Sequence, residues 1–269
     1  MTAFPAPPIS TVYGPVASWR FGRSLGVDLL LRTSICSFDC IYCQLGRIRE
    51  HTERQDIYVP TERVAEDLRQ VVWEDVDVVT ISGNGEPTLA LNLGEVIAHL
   101  KDHYARPVHV LTNATWLRDG ATRERLYRAD VVACKLDAAD RETLERVNRP
   151  VPGIGMGRIL EGIKALRGDP GFGGKLALQC MFLSSNVGTA PQLAELIAEI
   201  RPDEVHLNTP RRLYPRVWYP EARGARSSVT PVPGIPLQTI SIQEAEEAER
   251  IIRAANPQVP VMSVYKDKR

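Results

Sequence analysis

One stretch of this chain reads Ser34-Ile35-Cys36-Ser37-Phe38-Asp39-Cys40-Ile41-Tyr42-Cys43-Gln44, with three cysteines spaced C-x3-C-x2-C and an aromatic residue before the last. Three thiolates on one short loop can hold three irons of a cubane [4Fe–4S] cluster. The fourth iron then has no protein ligand and is free to bind another molecule. The motif therefore predicts an iron–sulfur centre on Cys36, Cys40 and Cys43.

Zinc is the alternative occupant of these cysteines, with His51 as a fourth ligand. Structural zinc sites usually combine paired C-x2–4-C knuckles into a closed set of four ligands, and the sequence has no second knuckle. Cys134 and Cys180 are isolated within apolar runs, so we expect them to be buried small hydrophobic residues. Five cysteines in 269 residues with no secretory signal do not favour a disulfide framework.

Composition points to a soluble cytoplasmic protein with a substantial core and no membrane partner. The chain has 269 residues, of which 43% are hydrophobic, and no apolar run approaches the length of a membrane span. Lys+Arg and Asp+Glu both number 33, so the formal net charge is zero, whereas a dedicated nucleic-acid binder is usually more basic.

Strand-like and helix-like segments alternate along the chain. This pattern favours an α/β fold of parallel strands with right-handed crossovers, and six such units fit a partial (β/α)6 TIM-like barrel. A doubly wound sheet is the alternative that periodicity leaves open. The predicted strands are 27–31, 76–82, 108–112, 131–136, 175–183, 204–207 and 259–264, and the predicted helices are 61–73, 91–104, 118–127, 157–167, 190–200 and 242–255.

The barrel interpretation divides the chain into three parts. Residues 1–25 are a lead-in segment, residues 26–208 form the barrel core, and residues 209–269 combine an Arg/Pro-rich segment with a closing helix and strand. In a barrel, functional groups gather at the carboxyl ends of the strands. Polar residues stand at these ends in the sequence: Gly83, Asn84, Gly85, Glu86, Thr112, Asn113, Lys135, Asp137, Gln179 and Asn208.

The cysteine spacing resembles the signature of the radical SAM superfamily, and residues 83–86 resemble its Gly-Gly-Glu motif, with Asn84 where a glycine often sits. The segment 13–26 is similar to the entry of a branch related to the tRNA wyosine-synthase group. This resemblance implies a partial (β/α)6 barrel of the radical SAM type, a [4Fe–4S] cluster and S-adenosylmethionine (SAM). It also implies an external electron donor such as flavodoxin or ferredoxin.

The resemblance further implies roles for single residues. Glu86 and the backbone of 83–85 would hold the SAM amino group, and Tyr42 would pack near the cluster with its backbone placed to meet the adenine. Asp137 and Gln179 would approach the SAM ribose and carboxylate. Lys135 could pair with Asp137 or with the SAM carboxylate. The expected reaction is reductive cleavage of SAM to a 5′-deoxyadenosyl radical; no residue acting on the substrate is assigned.

Two regions bear on the substrate. Residues 209–240 carry five arginines, Arg211 and Arg212 among them, and form either a solvated flap or a lid that attracts an anionic partner. Arg20 and Arg23 either reach an anionic group at a barrel end or lie on the surface of a lead-in hairpin. The expected substrate is a small, anionic or nucleotide-like molecule, with tRNA as a further candidate. An iron–sulfur electron carrier without SAM chemistry is the rival function.

Overall fold

The computed structural model describes residues 9–31, 33–210, 213–218, 223 and 234–266. The strands in these ranges are β1 (Val12–Ser18), β2 (Gly22–Val27), β3 (Ile35–Cys36), β4 (Glu50–His51), β5 (Val78–Ile81), β6 (Val108–Thr112), β7 (Val131–Lys135), β8 (Lys175–Met181), β9 (Glu204–Asn208), β10 (Tyr214–Pro215), β11 (Gly234–Ile235) and β12 (Val261–Ser263). The helices are α1 (Thr61–Leu68), α2 (Leu93–His103), α3 (Gly120–Glu124), α4 (Arg141–Val147), α5 (Met156–Arg167), α6 (Ala190–Ile200) and α7 (Ile242–Ala255).

Eight of the described strands form one sheet in the order β1-β2-β5-β6-β7-β8-β9-β12. β1 is antiparallel to β2, and each later pair in this order is parallel. Contacts across the sheet show that it curls. The ring of Phe21, in the β1–β2 turn, lies 4.4 Å from that of His109 on β6 and 5.6 Å from that of His206 on β9, measured between ring centroids. The strands follow chain order without the reversal of a doubly wound sheet, so the predicted partial barrel is confirmed.

The hydrophobic core lies between the outer face of this sheet and the helices. Cys134 of β7 and Cys180 of β8 are fully buried in it, as the sequence predicted. α6 shows how the helices pack, because its buried residues recur at helical spacing toward the sheet: Ala190, Leu193, Ala194, Ile197 and Ile200. The inner face carries the small residues Ala133 and Ala177, which leave room inside the barrel.

The first barrel strand was misplaced by the sequence interpretation. β2 ends at Val27, and residues 28–31 form a turn in which Oδ1 of Asp28 accepts hydrogen bonds from the backbone N–H groups of Leu30 and Leu31 at 2.9 and 3.2 Å. Leu29 and Leu30 are buried, and the apolar run to which they belong resembles a strand in the sequence. The turn directs the chain from the top of β2 into the cysteine loop.

Several helix boundaries also differ from the predicted ones. α1 begins at Thr61 as predicted but ends at Leu68, and its N-cap is Pro60. The helix predicted over 118–127 is confined to α3, which Asp119 caps by accepting a hydrogen bond from the Thr122 backbone. α4 was not predicted, although Asp140 caps it in the same way.

The terminal parts of the described chain complete the same sheet. β1 lies at one edge, and β12, which pairs with β9, lies at the other. The three-part division at residues 25 and 208 stays a prediction. Within the described ranges, no helix has the length and apolar character needed to cross a membrane.

Candidate active site

The cysteine loop is fixed across the top of the barrel by backbone hydrogen bonds on both sides. On one side, Ile35 donates to the carbonyl of Asn84 at 2.8 Å, and its own carbonyl accepts from Glu86 at 3.0 Å. On the other side, Asp39 donates to the carbonyl of Asn148 at 3.0 Å, just beyond the end of α4. The loop therefore rests on the carboxyl end of β5 and on the segment after α4.

The three motif thiols are half-buried and free of disulfides. Cys36 Sγ accepts hydrogen bonds from the Phe38 backbone at 3.4 Å and from Asn113 Nδ2 at 3.6 Å. Cys40 Sγ accepts one from Asn148 Nδ2 at 3.5 Å. Such donors stabilise negative charge on sulfur, which is the state that binds iron.

Burial raises the pKa of each of these thiols. It raises the pKa of Cys40 to about 12 and that of Cys43 to about 11, and the pKa of Cys36 is also well above its usual value. Near neutral pH the thiols are therefore protonated unless a cation replaces the proton, so metal binding here must release protons.

The zinc alternative finds little support in the position of His51. Its Nε2 lies 3.2 Å from the carbonyl oxygen of Ser37, a backbone partner rather than a thiol. In the part of the chain that the structure describes, no three His, Cys, Asp or Glu side chains surround one metal-ion position, and this holds for the three motif thiols alone as well as for a set that includes His51.

Gly83 and Gly85 allow close approach, but it is the protein's own chain that approaches them. Gly83 has a φ of 134°, and a Cβ there would lie 2.5 Å from the carboxylate carbon of Asp28. Gly85 has a φ of 151°, and a Cβ there would lie 1.6 Å from the carbonyl oxygen of Ile35. The cysteine loop thus requires glycine at position 85. Asn84 is fully buried and donates to Asp28 at 2.7 Å.

The Glu86 carboxylate is buried and surrounded by hydrogen-bond donors. Oε1 accepts from the Thr88 backbone at 3.0 Å, from the Thr88 hydroxyl at 2.7 Å and from the Thr112 hydroxyl at 2.6 Å, and Oε2 accepts from the Asn113 backbone at 2.6 Å. Burial raises its pKa, although the hydrogen bonds oppose this shift. Glu86 therefore joins the ends of β5 and β6 and keeps capacity at Oε2 for one more donor.

A second buried carboxylate, Asp137, organises the opposite side of the mouth. Lys135 pairs with its Oδ1 at 3.1 Å, and Asp137 is one of the two partners considered for Lys135. Oδ2 accepts from Asn148 at 2.8 Å and from the Tyr42 hydroxyl. The ammonium of Lys135 also lies 5.2 Å from the centre of the Tyr42 ring. Through these contacts, Tyr42 links the cysteine loop to the end of β7.

A cavity of about 750 Å³ occupies the interior of the barrel below the cysteine loop. Tyr42 and Asn208 line its upper end, and Trp19, Arg20 and Phe21 line its lower end. Gln179 of β8 lies beside His206 of β9 in the sheet, and its Nε2 is buried without a hydrogen-bond partner. An unpaired buried amide is costly in a folded protein, so this group suits a bound ligand.

The sequence interpretation missed two residues of this site. Asp28 is fully buried and pairs with Arg223 at 2.8 Å, and Asn148 joins Cys40 to Asp137. A carboxylate inside the apolar run 27–31 was the available signal for Asp28. Asn148 had none, because the sequence does not reveal that α4 ends beside the cysteine loop.

Part of the Arg/Pro-rich segment covers the cysteine loop. Trp218 packs on Leu45 and Ile48, and its Nε1 lies 3.4 Å from Oδ1 of Asn84. Arg223 faces Asp28 rather than an external anion. The arginines on which the lid hypothesis depended most, Arg211 and Arg212, lie outside the described residues.

Sequence comparison decides the family. Residues 30–169, which include the cysteine loop, Glu86 and Asp137, match the radical SAM superfamily. The chain belongs to the radical SAM superfamily. It is also 41% identical over 253 residues to a UPF0026 protein of Synechocystis sp., a match that covers 94% of this chain and 92% of the relative. A probable GTP 3′,8-cyclase of Saccharolobus islandicus is 31% identical over 147 residues, covering 54% of this chain and 45% of the relative.

Solved radical SAM structures share the fold. TYW1 with a lysine-pyruvate adduct bound has a TM-score of 0.60 at 14% identity, covering 88% of this chain and 75% of that one. Streptococcus suis SuiB bound to S-adenosylmethionine also has a TM-score of 0.60, at 16% identity, covering 86% of this chain and 48% of that one. The predicted superfamily is confirmed, and the chain is an enzyme whose subclass these likenesses leave open.

Radical SAM membership implies an iron–sulfur cluster and SAM, and the residues present fit both. The N–H groups aimed at Cys36 and Cys40 suit cluster sulfur ligands. The unpaired Nε2 of Gln179 and the open acceptor capacity of Glu86 suit a polar ligand beside them.

Proposed function

We propose that this protein is a radical SAM enzyme that holds a [4Fe–4S] cluster on Cys36, Cys40 and Cys43 and acts on a small anionic or nucleotide-like substrate. When bound, the cluster and SAM supply one-electron reductive cleavage to a 5′-deoxyadenosyl radical, which abstracts hydrogen from the substrate. The electron would come from an external donor such as flavodoxin or ferredoxin.

The observation that carries the proposal is the placement of the cysteine loop at one end of a partly open cavity in the barrel. The loop is held on both sides by backbone hydrogen bonds, so its thiols have fixed positions above the cavity. Two of these thiols receive N–H groups from Asn113 and Asn148. A redox protein that only carries electrons needs no cavity of about 750 Å³ beside its cysteine loop, whose Tyr42 and Gln44 line this one.

Residues at the barrel mouth would bind SAM by complementary charge and hydrogen bonding. Oε2 of Glu86 would accept a hydrogen bond from the SAM ammonium, a charge-assisted contact. The amide of Gln179 would donate to a SAM oxygen and so gain the partner that it lacks. Asn208 lies at the same end of the cavity and offers a further amide.

The site is also organised to position the adenosyl group and to limit water. Tyr42 is held by Asp137 and Lys135, so its backbone has a fixed place from which to meet the adenine. Trp218 covers the loop from outside, which reduces access of solvent to Cys36 and Cys43. Exclusion of water protects reactive intermediates from side reactions.

The volume of the cavity favours a small substrate over tRNA. About 750 Å³ is within the range of small-molecule sites, which are typically about 300–1,000 Å³. The zero net charge of the chain also argues against an extended basic surface for nucleic acid.

The test is anaerobic reconstitution with iron and sulfide, followed by assays of bound iron and of 5′-deoxyadenosine after addition of dithionite and SAM. We expect Cys36→Ala, Cys40→Ala and Cys43→Ala to lose most bound iron and all 5′-deoxyadenosine formation. Cys180→Ala is the matched control and should keep both. Iron bound without 5′-deoxyadenosine would favour the electron carrier, and zinc retained in place of iron would favour the zinc site.

A further inference from the structure

The β1–β2 hairpin folds its tip into the lower part of the barrel. The hydroxyl of Ser18 accepts hydrogen bonds from the backbone N–H groups of Arg20 and Phe21 at 3.3 and 3.2 Å, which shapes the turn. Phe21 contacts His109 edge-on at 4.4 Å, and Trp19 contacts His206 with ring centroids 6.2 Å apart. The tip thus forms a floor for the cavity, opposite the cysteine loop.

The side chain of Arg20 is held in this floor between two aromatic rings. Its guanidinium carbon lies 5.1 Å from the centre of the Trp19 ring and 5.3 Å from that of Phe21. Stacking of this kind fixes the orientation of a guanidinium without satisfying its hydrogen bonds. Arg20 lines the cavity, so the fixed group is available to a ligand in the barrel.

Arg20 differs from the other arginines that line the cavity because it has no acidic partner in the described part of the chain. Arg23 pairs with Asp77 at 2.9 Å, and Arg223 pairs with Asp28 at 2.8 Å. The Nε of Arg20 is buried and has no hydrogen-bond partner. Burial lowers the pKa of Arg20 to about 10, so the group still carries its charge at neutral pH.

Two histidines beside the floor also lack partners on one ring nitrogen. Nδ1 of His109 and Nδ1 of His206 are both buried without a hydrogen bond. The nearby carboxylate of Glu204 is engaged with Nε2 of His206 at 3.0 Å and does not pair with Arg20. Because Nε2 of His206 donates to Glu204, Nδ1 of the neutral ring is an acceptor, whereas Nε of Arg20 is a buried donor without a partner.

We propose that Arg20 binds an oxyanion of the substrate, a carboxylate or a phosphate, at the floor of the barrel. This deepens the proposed function and rests on it. A planar guanidinium binds either oxyanion through paired hydrogen bonds, and the ligand would satisfy a charge that is costly to bury alone. The anion supplies the acceptor that the buried Nε of Arg20 lacks.

The position of the floor limits the size of the substrate. His206 and Asn208 lie two residues apart on β9, which corresponds to ~7 Å along the strand. The anion at the floor and the reacting carbon near the mouth would therefore belong to one small molecule. The substrate class is a small organic acid or phosphate ester, with its hydrogen-donating carbon at the end remote from the anion.

The test measures the melting temperature of the reconstituted full-length protein under anaerobic conditions in potassium phosphate, sodium succinate or potassium chloride of equal ionic strength. The melting temperature of the wild type should be roughly 2–4 °C higher in phosphate or in succinate than in chloride. The anion that produces the increase identifies the chemical source. Arg20→Met should lose this increase, Arg20→Lys should keep part of it, and the control Arg23→Met should keep it in full.

Stability without the anion separates ligand binding from a structural role. In chloride, Arg20→Met should melt at the same temperature as wild type or higher, because it removes a partly buried charge that has no acidic partner among the described residues. A lower melting temperature for Arg20→Met in chloride, or an anion effect that persists in this variant, would overturn the proposal. So would the absence of any anion effect in wild type. Bound iron is measured on the same samples, so that failure of the cluster is recognised separately.

Discussion

Replacing Glu86 with glutamine removes the charge from a buried carboxylate that accepts four hydrogen bonds. The hydroxyls of Thr88 and Thr112 can rotate, but the backbone N–H groups of Thr88 and Asn113 cannot. These two groups approach different carboxylate oxygens, so in either orientation of the new amide its nitrogen would face one of them. An unsatisfied buried donor costs about 1–3 kcal/mol. Because burial also raises the pKa of Glu86, some of this loss is offset when the charge is removed, and we expect a net cost of about 2 kcal/mol.

The predicted consequences are a lower melting temperature and weaker SAM binding. A cost of about 2 kcal/mol corresponds to a decrease of roughly 4–8 °C. Loss of the charge-assisted contact with the SAM ammonium, worth about 1.5–3 kcal/mol, weakens SAM binding roughly 10- to 150-fold. Calorimetric titration of SAM into protein with full iron content measures the second effect.

Thr112→Val is the matched variant that separates charge from hydrogen bonding. It removes one donor at 2.6 Å from Glu86 but keeps the carboxyl group itself. We expect it to lower the melting temperature and to change SAM affinity by less than about threefold. Equal SAM affinity in Glu86→Gln and wild type, at equal iron content, would refute the assignment of Glu86 to the ammonium.

Three further predictions follow from buried polar contacts. Arg223→Met leaves the carboxylate of Asp28 buried without its cation, so the melting temperature should fall by roughly 6–12 °C, equivalent to about 3 kcal/mol; a change below about 1 °C would contradict this. Asn148→Leu removes an N–H group from Cys40 Sγ, so the midpoint potential measured by redox titration should become roughly 40 mV more negative, and an unchanged value would exclude that influence. Burial lowers the pKa of His109 to about 4, so stability is fully present above the unfolded-state pKa of about 6.5 and is lost as pH falls toward 4; His109→Asn should flatten this dependence in denaturation measured across that range.

The fold was predictable where burial and periodicity agree. β6 and α6 match the sequence interpretation at both ends, because β6 alternates buried and half-buried residues and α6 has a regular apolar stripe. α4 escaped prediction because it is a short helix with one apolar face of few residues. The run 27–31 was read as a strand because Leu29 and Leu30 are buried, although Asp28 turns the chain there.

The site was predictable only where local spacing carries the chemistry. The cysteines share one loop, so their proximity follows from the sequence itself. Contacts that join distant segments were not accessible, such as Arg223 with Asp28 and Asn148 with Cys40. Arg20 and Arg23 were given the same two alternatives, an anion-binding role or a surface position, and the structure distinguishes the two residues. Arg23 is exposed and paired with Asp77, whereas Arg20 has a buried Nε without a partner.

The central claim is that three cysteines hold a cluster with one iron open to SAM. Electron paramagnetic resonance of the dithionite-reduced, reconstituted protein tests it most directly, recorded with and without SAM. The account predicts a [4Fe–4S]⁺ signal that changes when SAM is added and that is absent from Cys40→Ala. A signal that is identical with and without SAM, at full iron content, would contradict it.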